Sequence, residues 1–117
     1  DVTVGISTPT WAAAESFDEG NVGPGTINIV VQLPISLTAA AAVNVVIMAT
    51  EAKTQALIEH GVAGTGTATD AVVVLWPKEV ENSEPIQFGG PRSQWGGSVA
   101  RVVHGAVGRG IQDWRKR

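Results

Sequence analysis

Between Thr50 and Asp70 the sequence reads TEAKTQALIEHGVAGTGTATD and brings two carboxylates, an ammonium, hydroxyls and glycines around one turn. Amide or ester hydrolysis needs a base to activate water and donors to hold the oxyanion that forms. Glu51 and Asp70 are the candidate carboxylates, one as general base and the other positioning water or substrate. Lys53 is the candidate oxyanion donor. Thr65, Gly66, Thr67 and Thr69 offer hydroxyls and exposed amides for a polar substrate. The same residues also fit a solvated helix-to-strand turn, with acidic groups acting as caps.

A second constellation lies in Gly89-Gly90-Pro91-Arg92-Ser93-Gln94-Trp95-Gly96-Gly97. There Arg92 and Trp95 could bind a carboxylate, a phosphate or a flat ring. The alternative is a rigid helix entry with Trp95 packed inside. The order Gly64-Thr65-Gly66-Thr67 followed by a strand fails the phosphate-loop and dinucleotide patterns, which open helices. His60 and His104 are isolated from one another and form no metal motif. No metal or cofactor is expected.

These residues must be positioned by a small number of elements. Val2, Val4 and Ile6 alternate with polar or small residues as a half-buried strand. Residues 8–25 show no period and form a long loop, a type that is usually functional or mobile. Thr26–Leu33 is a strand ended by Pro34, and its continuous apolar second half predicts a central place in a sheet. Ser36 is the expected cap of a helix running to about Glu59, with Gly61 as its left-handed stop.

Val43, Ile47, Thr50, Thr54, Leu57 and Ile58 define the expected buried stripe of that helix, and Glu51 sits on its seam. Lys53 lies about 200° round the helix from Glu51, so the two are not an ion pair. Ala71–Trp76 predicts a third, deeply buried strand. Lys78–Pro85 is a surface connection, and Ile86–Phe88 a short edge strand. The last helix starts near Ser93 with a stripe of Val99, Val102, Val103, Ala106, Val107, Gly110, Ile111 and Trp114. Its glycines predict close packing on a sheet or helix. The order implies an α+β fold: a small mixed sheet of three to four strands with two helices packed on one face.

Composition bounds the function class. The 117 residues fit a single domain, residues 1–117, with 44% hydrophobic and 16% charged content. A net charge of −3 argues against nucleic acid as partner. Cysteine is absent, which excludes thiolate chemistry and Cys-zinc sites. The apolar run from Ala39 to Ala49 is far short of the roughly 20 residues that span a bilayer, so no membrane partner is expected. The sparse charge leaves room for a homo-oligomer or subunit contact. Asp1 in place of a methionine is expected of a cut or processed N-terminus.

Four blocks in order, GTINIVVQLP (25–34), TEAKTQAL (50–57), GTGTATDAVVV (64–74) and GGPRSQWGG (89–97), resemble the adenosylcobinamide amidohydrolase family. The resemblance implies cleavage of the amide that joins the corrin propionate to the aminopropanol arm, giving adenosylcobyric acid in corrinoid salvage. It implies a corrinoid substrate and a cytoplasmic location. Family members carry a further N-terminal portion, so the chain resembles the C-terminal part of a longer architecture or a shortened member. A non-catalytic corrinoid or small-ligand binding module, or a structural subunit pairing with the N-terminal portion, are the competing readings.

Overall fold

The computed structural model describes residues 1–14 and 23–117. Residues 15–22, within the loop expected to be functional or mobile, therefore lie outside the described residues. The elements run β1 (Val2–Val4), β2 (Ile27–Gln32), α1 (Ala39–Glu59), β3 (Ala71–Leu75) and α2 (Gln94–Arg115). The sheet order is β1-β2-β3, with β1 antiparallel and β3 parallel to β2. A parallel pair needs a crossover, and α1 supplies it. Two helices cover one face of a three-stranded mixed sheet, the α+β arrangement expected from the element order.

β2 is central, as its apolar run implied. Ile27, Ile29 and Val31 point into the core, while Asn28 and Gln32 face outward. β3 departs from expectation. It is an edge strand, as β1 is, and Val73 and Leu75 are each 46% exposed, with Trp76 also exposed. Its run of valines has the composition of a parallel strand covered on both faces, whereas helices lie on one face only. Ile86–Phe88 makes no strand; Ile86 forms one isolated bridge to Leu37.

α1 packs its small residues inward. Ala41, Val45, Met48, Ala49, Ala52, Lys53, Ala56 and Leu57 are buried, and Val43, Ile47, Thr50 and Ile58 are exposed. The expected stripe is thus rotated: of its members Leu57 is buried, Thr54 is half-buried, and Glu51 lies in solvent rather than on a seam. Alanines let the helix axis approach the sheet and α2 closely, so Val43, Ile47 and Ile58 are left outside while Val45 is the β-branched residue admitted. The cap is Thr38, whose side chain accepts from the Ala41 amide; Ser36 instead donates to the Lys78 carbonyl. Gly61 follows the C-cap with φ +69°, the left-handed stop that the sequence called for.

α2 begins at Ser93, whose hydroxyl accepts from the Gly96 amide. Val99, Val103, Val107 and Ile111 form its buried stripe, whereas Val102 is exposed. Its glycines mark close approaches, as expected. A Cβ on Gly96 would collide with the Gly89 and Gly90 carbonyls, and one on Gly110 would strike Val4. Near the C-terminal end of α1, Glu59 Oε2 lies 2.6 Å from His104 Nε2 on α2, and Gln55 donates to Glu59 Oε1 at 2.7 Å. The Gln55 bond, then the contact with His104, holds the Glu59 carboxyl below the usual range. His60 caps α1, as its position at the helix end suggested.

Candidate active site

The buried face of α1 carries one charge. Lys53 is 7% exposed, and a buried ammonium requires a partner. It finds Asp70, one residue before β3, with Nζ 2.6 Å from Oδ2. Three further donors converge on the same carboxylate. The Thr67 amide reaches Oδ2 at 3.1 Å; the Thr67 hydroxyl and the Ile27 amide reach Oδ1 at 2.6 and 2.9 Å. Asp70 therefore ties together the α1 face, the Gly66–Thr67 turn and the start of β2.

Gly66 is obligatory at this knot. A Cβ there would lie 2.6 Å from Lys53 Nζ and in collision with Asp70 Oδ2. The turn is also stitched to the first loop. Thr10 and Gly66 form an antiparallel bridge, the Thr65 amide donates to the Thr10 carbonyl, and the Ala12 amide donates to Thr65 Oγ1. Thr54 Oγ1 donates to the Thr65 carbonyl from the α1 side.

A cleft of about 310 Å³ opens over this knot. Lys53, Thr65, Gly66, Thr67 and Asp70 line it, so the structure brings together five of the nine residues singled out in the sequence. Thr10, Ala12, Thr50, Thr54 and Ala68 complete the lining. Among the described residues Asp70 is the only partner of Lys53, which has three N–H donors, so two remain for a guest in the cleft.

Four residues stand apart. Thr69 is exposed and turns to the Gly25 carbonyl. Arg92 is exposed at the entry to α2, and Trp95 packs against the core in a groove between β2 and α2. Glu51 lies on an adjoining open surface with Gln55, Ile58 and Glu59. Thr50 and Thr54 line both that surface and the cleft, so Glu51 borders the cleft across a threonine ridge. Thr50 and Thr54 flank Lys53 in the sequence and could have been read as its helical neighbours. Thr10 carries no local signal, because its role comes from a bridge to a residue 56 positions along.

Burial alone would raise the Asp70 pKa. The hydrogen bonds from Lys53, from the Thr67 side chain and amide, and from Ile27 together outweigh it and hold the carboxyl below its ordinary 3.8. The folded protein thus binds this proton less tightly than the unfolded chain does. The stabilisation is complete above the unfolded value and is lost as pH falls through the lowered folded value. Urea midpoints measured against pH should decline below about pH 4, and the Asp70→Asn protein should lack that part of the decline.

Comparison with known proteins now bears on this site. The family model for adenosylcobinamide amidohydrolase matches residues 1–117, so the likeness extends beyond the four blocks into the first loop. A protein of Methanosarcina mazei described as adenosylcobinamide amidohydrolase is 32% identical over 108 residues, covering 86% of this chain and 54% of that protein. The chain thus spans about half the length of the curated relative it matches. No solved structure matches it. Among the described residues no helix is long and apolar enough to cross a membrane. With its whole length matched, this chain belongs to the adenosylcobinamide amidohydrolase family.

Proposed function

We propose that this chain forms part or all of a cytoplasmic enzyme of corrinoid salvage that hydrolyses the aminopropanol amide of adenosylcobinamide to adenosylcobyric acid. The observation that carries the proposal is the buried Lys53–Asp70 pair on the floor of a threonine-lined cleft. Charged groups are rarely buried without a task, and here the ammonium keeps donors directed at a guest. The cleft is of a size for an amide arm and not for a macrocycle, which must lie outside.

In this reading the arm's amide carbonyl meets Lys53 Nζ, and the threonine hydroxyls hold the arm's hydroxyl. Water adds to the carbonyl carbon, Lys53 stabilises the resulting oxyanion, and the C–N bond then breaks with transfer of a proton to the leaving amine. Asp70 accepts four donors with its four lone-pair sites, which suits it to fixing Lys53 and the turn rather than to taking a proton from water. Water activation is assigned to Glu51, the carboxylate across the threonine ridge. Incubating the protein with adenosylcobinamide and following adenosylcobyric acid by mass spectrometry tests the reaction. Product from wild type that is lost in Glu51→Gln supports both assignments; undiminished turnover in Glu51→Gln removes Glu51 as base.

The full occupancy of Asp70 also favours a second reading, a corrinoid-binding module without turnover of its own. Binding of adenosylcobinamide with no product, in a polypeptide of the relative's full length, would decide for it. The uncovered apolar face of β3 suits a contact with a further portion of such a polypeptide or with a second copy.

A further inference from the structure

The adjoining surface of about 490 Å³ shares Thr50 and Thr54 with the cleft, and the reading above leaves it without a task beyond holding Glu51. It lies on a continuous stripe of α1: Ile47, Thr50 or Glu51, Thr54 or Gln55, and Ile58 or Glu59, at helical steps of three and four. From Ile47 to Ile58 the stripe runs about 16 Å at 1.5 Å per residue. Ile58 is 54% exposed and Ile47 is 44% exposed. These two large aliphatic side chains share an exposed stripe that runs into the edge of the candidate active site. The polar groups beside them are held in place, since Gln55 Nε2 donates to Glu59 Oε1 and His104 braces Glu59 Oε2.

We propose that this stripe is the subsite for the corrin ring itself, so that the ring lies along α1 while its aminopropanol arm crosses the Thr50–Thr54 ridge into the cleft. The inference rests on the corrinoid reading and adds to it where the macrocycle sits and what recognises it. The chemistry is complementary. A corrin periphery presents methyl groups and primary carboxamides. Ile58 in this surface, and exposed Ile47 beyond its lining along the same stripe, supply apolar contact for the methyls, and Glu59 and Gln55 supply fixed acceptors for the carboxamide N–H groups. The shared ridge makes ring and arm sites continuous, which binding to two separate surfaces would not require.

The test compares wild type, Ile58→Asp and the control Val102→Asp, a still more exposed apolar position on α2, with two substrates. One substrate is adenosylcobinamide; the other is N-(2-hydroxypropyl)propionamide, the arm without the ring. Ile58→Asp should raise KM for adenosylcobinamide about tenfold with kcat within about twofold, as loss of one apolar contact and added charge would do. It should leave kcat/KM for the ring-free amide unchanged, and Val102→Asp should match wild type on both. Where turnover is absent, the same tenfold weakening should appear in the dissociation constant for adenosylcobinamide measured by calorimetry. An Ile58→Asp protein with wild-type KM and affinity overturns the subsite and leaves the hydrolase reading standing. A wild type that neither binds nor cleaves the corrinoid overturns that reading, and this subsite with it.

Discussion

Asp70→Ala should destabilise the protein by about 3–5 kcal/mol, the usual cost of stranding one member of a buried ion pair, and should abolish turnover. The loss has identifiable parts. Lys53 would remain buried with no counter-charge, and the Ile27 amide, the Thr67 amide and the Thr67 hydroxyl would lose their acceptor. Ile27 opens the central strand, so the damage would spread from the turn into the sheet. A lower urea midpoint at unchanged m would report it. Asp70→Asn should cost less, because one carbonyl oxygen still accepts from Ile27 or Thr67. Lys53→Met combined with Asp70→Asn should recover much of the stability by removing the stranded charge, but none of the activity. That divergence separates the pair's structural contribution from its chemical one, since a purely structural knot would recover both.

Gly66→Ala is the second large effect, expected to lower stability by about 2–4 kcal/mol and kcat/KM by about a hundredfold. The added methyl occupies the space where Lys53 Nζ and Asp70 Oδ2 meet, so one of them must move. Lysine is long enough to swing aside, but only by leaving a buried position and its partner. The Thr10–Gly66 bridge holds the backbone from the other side and limits relief by loop movement. Gly105→Ala on α2 is the matched control. A Cβ there would meet only the tip of the Arg109 side chain, one turn along the same helix, at 3.4 Å, and the variant should be neutral or gain up to about 1 kcal/mol of helix propensity. Thermal melts of the two proteins beside wild type would show whether the Gly66 effect is specific to the site.

Much of this architecture was legible from local patterns. Alternation in β1, the continuous apolar run of β2, the Ser93 cap and the Gly61 stop each depend on neighbouring residues, and each stands in the structure. The faces of α1 were not legible. Both sides of that helix carry apolar residues, so periodicity marks a stripe without saying which stripe faces in. Packing chose the alanines, because close approach to the sheet and α2 favours small side chains over isoleucine and valine. The same choice turned Lys53 inward and Glu51 outward.

The site was legible in part for the same reason. Lys53, Thr65, Gly66, Thr67 and Asp70 cluster because a single helix-to-strand connection carries them. Arg92 and Trp95 form a motif of equal chemical promise, but Arg92 is exposed before α2 and Trp95 lines the separate groove between β2 and α2. Thr10 enters through a tertiary bridge, which no local pattern encodes. β3 has the composition of a covered strand and an uncovered outer face, and this chain spans 54% of its curated relative.

The most direct test of the central claim is the rate of adenosylcobyric acid formation from adenosylcobinamide by the folded Lys53→Met/Asp70→Asn protein beside wild type. Wild type should form product and the double variant none above background, with substrate binding retained. Wild-type rates from a double variant shown by its melt to be folded would contradict that claim.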